Sequence, residues 1–249
     1  MELIDVDAHL GQLPDAPVTW PDAAGLVEVQ RRLGVTACLL TTVSARLHDP
    51  LTGNAETVEA LDAVPGARAC PMIVPALPGE PRTTDTPAWQ VAVAATAMPR
   101  LHGWSLTGPG CEDVFESMSE RALPLRLSAL EVSLAAVEAF STAHPQIPVL
   151  LTEVGYRALR ELAGLLTRTP SVHLVLTNFA THLGLEWLVE QVGSARILYG
   201  TGTPWHDPGS ATARLLWSAL DDDDVAAIAH GNAVRLMPAL ASDRVGVGR

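Results

Sequence analysis

The sequence of 249 residues contains no lysine, and all 16 of its basic residues are arginine. This absence excludes a lysine Schiff base, a lysine general base and a carboxylated lysine that bridges two metal ions. Acidic residues number 28, which gives a formal net charge of -12 at pH 7. Because nucleic-acid binding needs a basic stripe and these arginines are scattered, we expect no nucleic-acid partner.

Cysteines and long apolar runs are also scarce. The three cysteines, Cys38, Cys70 and Cys111, are widely spaced and contain no CxxC pair. They indicate small core residues in a reducing compartment, which excludes a disulfide framework and a zinc knuckle. No stretch approaches the ~18 apolar residues that a membrane helix needs, and no basic leader precedes an apolar run. We therefore expect a cytoplasmic protein without a membrane partner.

The chain has ample material for a core, with 48% hydrophobic residues, and two kinds of segment alternate along it. Short apolar, β-branched runs typical of buried strands are separated by longer segments of helical period. The predicted strands are Leu3–His9, Ala37–Val43, Ala69–Val74, Gly103–Thr107, Leu123–Ser128, Val149–Val154, Val172–Thr177 and Arg196–Thr201. Eight strands in βα alternation favour an α/β fold, a single (β/α)8 TIM barrel that spans residues 1–249.

A doubly wound open sheet is the alternative fold, but no strand is followed by the glycine fingerprint that binds phosphates in such sheets. Among the predicted helices, Pro87–Met98 precedes the fourth predicted strand.

In a barrel, the residues at the carboxyl ends of the strands face a shared pocket. Those residues are His9, Thr42, Val74, Thr107, Ser128, Glu153, Asn178 and Gly202.

The first predicted strand places three polar side chains on one face, since side chains alternate along a strand. Asp5, Asp7 and His9 point one way, whereas Ile4 and Val6 point the other. We expect Asp5 to support the fold from a layer below the pocket. Asp7 and His9 occupy the pocket layer, where the sequence alone leaves both a structural and a catalytic role open.

Several motifs occur in order along nearly the whole chain. They are Ile-Asp-Val-Asp-Ala-His at 4–9, Leu-Pro-Leu-Arg-Leu-Ser at 123–128, Pro-Val-Leu-Leu-Thr-Glu-Val-Gly at 148–155, Arg-Ile-Leu-Tyr-Gly-Thr-Gly-Thr-Pro at 196–204 and Ile-Ala-His-Gly-Asn-Ala-Val-Arg-Leu at 228–236. Together they resemble the amidohydrolase-related family of (β/α)8 barrels, which includes metal-dependent hydrolases, nonoxidative decarboxylases and lactonases.

The resemblance breaks at the residues that form the family's metal site. Its two first-strand histidines match Asp7 and His9, its fifth- and sixth-strand histidines match Ser128 and Glu153, and its eighth-strand aspartate matches Gly202. A catalytic zinc ion needs about three protein ligands, and nitrogen donors hold it better than a lone carboxylate does. We therefore expect a degenerate metal site and no cofactor. The alternative left open is one divalent metal ion on Asp7, His9 and Glu153.

The resemblance implies a divergent hydrolase or lyase for a small molecule that acts without the usual zinc centre. We expect Asp7, His9 and Glu153 to be catalytic by transferring protons at the mouth of the barrel. A partly desolvated Glu153 is expected to have a raised pKa, which suits a general acid or base. The residues expected to bind substrate are Arg126, Ser128, Asn178, Trp205 and His206.

Two alternatives remain open. Arg126 shares the inward face of Ser128, so it either pairs with Glu153 or Asp7 as a structural residue or binds a substrate carboxylate. The protein as a whole is either an enzyme or a catalytically inactive barrel, a pseudoenzyme that binds a ligand or a partner protein. The resemblance also implies a homodimer formed through helices on the side of the barrel.

Overall fold

Eight parallel strands form the centre of the fold in the computed structural model, which describes residues 1–18 and 20–241. They are β1 (Leu3–Leu10), β2 (Val35–Thr42), β3 (Ala67–Ala69), β4 (Ala95–Ala97), β5 (Leu125–Ser128), β6 (Val149–Thr152), β7 (Val172–Val175) and β8 (Ile197–Leu198). Strands β1 to β3 pair in one sheet, and β4 to β8 pair in a second. Within each sheet, every strand pairs in parallel with the next one in the chain.

Two seams join these sheets. After β3, the backbone N–H of Ile73 donates to the carbonyl oxygen of Thr96 at 2.8 Å. On the opposite side, the N–H of Val6 in β1 donates to the carbonyl oxygen of Tyr199 at 3.1 Å. The predicted (β/α)8 TIM barrel is confirmed. The expected domain span of 1–249 includes residues 242–249, which lie outside the described residues.

Helices alternate with the strands. They are α1 (Ala23–Leu33), α2 (Val43–Leu47), α3 (Pro50–Ala60), α4 (Pro87–Gln90), α5 (Glu112–Glu120), α6 (Leu134–Ala143), α7 (Leu159–Arg168), α8 (Gly184–Val192), α9 (Pro208–Leu216), α10 (Asp222–Ala226) and α11 (Asn232–Leu236). Several begin at side-chain caps; Asp221, for instance, accepts from the N–H of Asp224 at 2.8 Å at the start of α10. In the described part of the chain, no helix combines the length and apolarity required to cross a bilayer.

The alternation of side chains along β5 separates the apolar core from the barrel interior. Leu125 and Leu127 pack in the large apolar cluster that also contains Phe140 of α6. Their neighbours Arg126 and Ser128 therefore point to the other face of the strand, which is the interior. Both are buried, so the barrel encloses a polar centre beneath its mouth.

The fourth strand differs from the sequence prediction. The predicted strand Gly103–Thr107 is wrong, and the predicted helix Pro87–Met98 ends after α4, which leaves room for β4 at Ala95–Ala97. The alanine-rich segment has no amphipathic period, and its small side chains are buried between the neighbouring strands. As a result, Thr96 rather than Thr107 lines the interior.

Candidate active site

Asp5 on β1 links this strand to the segment that follows β8. Its carboxylate accepts hydrogen bonds from the backbone N–H of Thr201 at 2.9 Å, from the Thr201 hydroxyl at 2.6 Å and from the N–H of Asp7 at 2.9 Å. Burial outweighs these bonds and raises the pKa of Asp5 to about 6. All these contacts are internal to the protein, which favours the structural role expected for this residue.

Asp7, two residues further along β1, is the centre of a buried polar network. Its Oδ1 accepts from His9 Nε2 at 3.1 Å and lies 3.3 Å from Arg126 Nη1, while its Oδ2 accepts from the Thr177 hydroxyl at 2.7 Å. Burial favours the neutral acid, but the Arg126 charge together with His9 and Thr177 outweighs it. These contacts hold the pKa of Asp7 below its usual range, so Asp7 is a carboxylate at neutral pH.

His9 is neutral at pH 7. Burial, with the positive charge of Arg126, lowers the pKa of His9 to about 4 despite its bond to Asp7. Because Nε2–H donates to Asp7, the other ring nitrogen, Nδ1, carries the lone pair of a neutral imidazole. This Nδ1 atom is buried and has no hydrogen-bond partner among the described residues.

Arg126 is buried, with 2% of its surface exposed. Its guanidinium donates to the carbonyl oxygen of Val6 at 3.1 Å and to the Thr41 hydroxyl at 2.6 Å, in addition to its ion pair with Asp7. Of the two roles left open by the sequence, this arrangement favours the structural one, with Asp7 rather than Glu153 as partner. Substrate binding by Arg126 stays a prediction.

Glu153 directly follows β6, at the mouth of the barrel. Its backbone has φ of 58°, a left-handed conformation that costs a residue other than glycine roughly 1–2 kcal/mol. The side chain accepts a hydrogen bond from the Ser128 hydroxyl and another from His206 Nε2 at 3.2 Å. Strained backbone of this kind clusters at functional sites, where the surrounding contacts hold it.

The carboxyl group of Glu153 is ionised more readily than expected. Burial alone would raise its pKa, but the hydrogen bonds from His206 and Ser128 and the nearby charge of Arg46 lower it below its usual value. The prediction of a raised pKa for Glu153 is therefore wrong. Bonds to the charged form outweigh desolvation here, so Glu153 is a carboxylate that can accept a proton.

Trp205 and Arg46 form a roof over the buried network. The Trp205 ring meets the His9 ring edge-on, with centroids 4.8 Å apart, and the Arg46 guanidinium lies 4.2 Å from the Trp205 ring centroid. Arg46 Nη2 is also 3.9 Å from Glu153 Oε2. The cavity enclosed beneath this roof measures about 10 Å³, which is room for one water molecule.

Sequence reasoning missed Arg46, although a signal was present. It is a charged residue only four positions beyond β2, in the kind of segment that lines a barrel mouth. The structure gathers most of the predicted site residues around the small cavity, namely Asp7, His9, Arg126, Ser128, Glu153 and Trp205. His206 contacts Glu153 and lines a second cavity, and Asn178 lines that second cavity rather than the first.

A family model for amidohydrolases matches residues 49–238, well over half of the chain. The chain therefore belongs to the amidohydrolase family, which confirms the resemblance stated from its motifs. No curated protein matches the sequence.

Solved structures share the fold at low sequence identity. A TIM-barrel protein from Bordetella bronchiseptica has a TM-score of 0.74 at 13% identity, over 97% of this chain and 100% of that one. A dihydroxybenzoic acid decarboxylase from a Polaromonas species, with bound manganese and 2-nitroresorcinol, has a TM-score of 0.75 at 12% identity, over 98% and 99%. A 5-carboxyvanillate decarboxylase from Sphingomonas paucimobilis has 0.69 at 13%, over 95% and 99%. Likeness at these identities shows the TIM-barrel fold.

The manganese in the Polaromonas structure corrects the expectation that this protein has no cofactor. A fold neighbour with a bound metal ion points to a metal cofactor rather than to none. The expectation rested on the replacement of metal-binding histidines, which removes one particular ligand set. The loss of the family's metal-binding residues at the matching sequence positions does not test whether a protein of this fold holds a metal ion.

The side chains of Asp7, His9 and Glu153 do not fit a metal ion in their present arrangement. Within residues 1–18 and 20–241, no group of three or more His, Cys, Asp or Glu side chains is placed to hold one. Asp7 Oδ1 already contacts both His9 Nε2 and Arg126 Nη1, and Glu153 is held by Ser128 and His206. An ion on these three residues would require both sets of contacts to rearrange.

Proposed function

We propose that this protein is a small-molecule hydrolase or lyase whose reacting atoms meet at Glu153 and His206. Membership of the amidohydrolase family supports a hydrolase- or lyase-like enzyme. The observation that carries the proposal is Glu153 itself, an ionised carboxylate in strained backbone at the end of a barrel strand. The carboxyl ends of the strands are where TIM-barrel enzymes place their reactive groups.

Glu153 acts as the general base in this proposal, and Ser128 and His206 orient it. In a hydrolysis, its carboxylate takes a proton from water while the water oxygen bonds to the acyl carbon and the carbonyl electron pair moves to oxygen. The carbonyl then re-forms as the bond to the leaving group breaks, and the proton passes from Glu153 to that group. His206, with 27% of its side chain exposed, lies between Glu153 and solvent, where it can relay protons.

The buried network beneath Glu153 has a supporting role in the proposal. The cavity bordered by His9 and Glu153 has room for one water molecule, and His9 Nδ1 is an unfilled hydrogen-bond acceptor. Asp7 fixes the His9 ring by accepting from Nε2. Asp7 and His9 therefore orient a water molecule in this account, and Glu153 takes its proton.

A substrate screen tests the proposal. Two of the fold neighbours are decarboxylases, so aromatic carboxylates belong in it beside lactones and esters. The purified protein should be analysed for metal content and assayed with and without added Mn²⁺.

On a substrate that turns over, Glu153→Gln is expected to lower kcat/KM by about 10²–10⁴-fold. Glu161→Gln, an equal charge change at an exposed position on α7, is the matched control and should leave kcat/KM unchanged. Unchanged turnover in Glu153→Gln would remove Glu153 from the mechanism.

A catalytically inactive barrel is the second candidate, and the volume of about 10 Å³ at the centre favours it. No substrate fits there while Trp205 and Arg46 keep their places. Absence of turnover for every substrate class, in both metal conditions, would support the inactive barrel. A homodimer stays a prediction, which light scattering on the purified protein would test.

A further inference from the structure

A second cavity, of about 160 Å³, lies beside His206 between the segment that follows β7 and the start of α9. We call it the α9 pocket; its lining includes Asn178, Phe179, Ala180, His206, Ala211 and Arg214. A protein cavity of about 150 Å³ accommodates a benzene-sized molecule. The α9 pocket can therefore hold a small organic molecule, whereas the cavity at His9 holds one water molecule.

One wall of the α9 pocket is apolar. Leu176, Phe179 and Ala211 line it and are each at most 5% exposed. Such a wall favours the burial of a ring or a short hydrocarbon body by the hydrophobic effect.

Arg214 supplies a cation to the same pocket. Its Nη1 donates to the carbonyl oxygen of Thr181 at 2.7 Å, and its remaining N–H groups have no hydrogen-bond partner in the described part of the chain. A guanidinium with free donors binds carboxylates in a planar, two-bond geometry. The pocket also borders Asp207, whose Oδ1 accepts from the N–H of Gly209 at 2.8 Å and faces the positive end of α9.

His206 connects the α9 pocket to the proposed base. Its ring lines the pocket, while its Nε2 atom lies 3.2 Å from Glu153 Oε1. A molecule bound in the pocket would thus contact His206, the residue that bonds to the proposed base Glu153.

We propose that the α9 pocket is the substrate-binding site and that it takes a small carboxylate whose body is no larger than one six-membered ring. The carboxylate binds Arg214, the ring packs on Phe179 and Ala211, and the rest of the molecule faces His206. This inference rests on the proposed function, because it supplies the substrate class for the same site.

Binding of benzoate, measured by calorimetry or by protein-observed NMR, tests this inference without any need for turnover. Benzamide is the neutral probe of equal size. We expect wild-type protein to prefer benzoate, and Arg214→Gln to weaken benzoate binding by about tenfold or more, as expected for loss of a charge-assisted hydrogen bond. Arg160→Gln, an equal charge change at an exposed position on α7, should leave benzoate binding unchanged.

A second variant keeps Arg214 and its bond to Thr181. Ala180 is exposed and lines the pocket, so Ala180→Phe should fill the cavity from its open side without disturbing the core. We expect this variant to lose binding of benzoate and benzamide alike. Thermal unfolding of each variant identifies any loss of binding that comes from a failure to fold.

The outcomes separate the two proposals. No benzoate binding at millimolar concentration, or binding that neither Arg214→Gln nor Ala180→Phe weakens, would overturn the pocket assignment and leave the role of Glu153 untouched. Conversely, suppose that Arg214→Gln and Ala180→Phe both weaken benzoate binding while turnover survives Glu153→Gln. This result would support the pocket and contradict the proposed base.

Discussion

The interior of this barrel and its mouth use the same kinds of residue in opposite ways. In the interior, Asp7 and Arg126 are within 3.3 Å of each other, and each also bonds to other groups of the protein. At the mouth, Arg46 stays 3.9 Å from Glu153, and His206 is partly exposed. Charged groups whose hydrogen bonds and ion pairs are all made within the protein have no free donor or acceptor for a ligand. Groups with partial or exposed partners can exchange them, which is why we place the chemistry at the mouth.

The largest predicted effect concerns the interior ion pair. Arg126→Met removes the partner of a buried carboxylate, and breaking such a pair is expected to lower the free energy of unfolding by about 3–5 kcal/mol. Urea unfolding at pH 7 measures this loss, with Arg160→Met as the exposed control. A loss under about 1 kcal/mol would show that the buried Asp7 carboxylate does not depend on Arg126 for its stability. The interior ion pair would then be as dispensable as the looser contact between Arg46 and Glu153 at the mouth.

The pH dependence of stability is the next effect, because Asp5 and His9 oppose each other. The folded pKa of Asp5, about 6, lies above its unfolded value of 3.8, so its contribution to stability is present at low pH and lost as pH rises through 6. The folded pKa of His9, about 4, lies below its unfolded value of 6.5, so stability is lost as pH falls below 6.5. Each contribution is on the order of 3 kcal/mol, so the two nearly cancel between pH 4 and 6.

Single variants should expose this cancellation. In Asp5→Asn the contribution that opposes His9 is lost, so the free energy of unfolding should fall more steeply from pH 6.5 to pH 4 than in wild type. In His9→Asn it should fall less steeply, or rise. Urea unfolding at several pH values gives both slopes. Profiles that run parallel to that of wild type would mean that neither group titrates between the folded and unfolded states as described.

Removal of the roof should have a smaller effect on stability and a clear one on access. Trp205→Ala loses the contacts with His9 and Arg46, which are together worth about 1–2 kcal/mol. It should also speed modification of His9 by diethyl pyrocarbonate, followed by peptide mass spectrometry. Trp187→Ala, on α8, is the control. If His9 reacts equally slowly in the Trp205 variant, Trp205 does not close the cavity.

The smallest effect concerns the backbone at Glu153. Glu153→Ala and Glu153→Gly both remove the carboxylate, but only glycine accepts φ of 58° without strain. We expect the glycine variant to be more stable than the alanine variant by about 1 kcal/mol. Chemical denaturation of the two variants side by side measures the difference. Equal stabilities would argue that the left-handed backbone is not imposed on this residue by its surroundings.

The sequence predicted the barrel because periodicity is a local property. Alternation held only in part in β1, because a register shift between Asp5 and Ala8 interrupts it; Asp7 and His9 line the interior cavity, whereas Asp5 bonds to Thr201 and does not line it. The prediction failed at β4, because a run of small alanines carries no period that distinguishes a strand from a helix.

The site was harder to predict, since its contacts join distant parts of the chain. Ser128 and His206, which lower the pKa of Glu153, lie 25 and 53 residues away from it in sequence. Desolvation was the only contribution visible from the sequence, so the predicted direction of the shift was wrong. The importance of Arg46 likewise appears only once Trp205 and Glu153 are brought beside it.

The most direct test of this account is a double-mutant cycle on kcat/KM between Glu153→Gln and His206→Asn. If the two residues act as one unit, the double variant should be little slower than the slower single variant, because losses within a unit do not add. Losses that multiply, or a His206→Asn variant with wild-type turnover, would contradict the claim that the chemistry lies at the mouth.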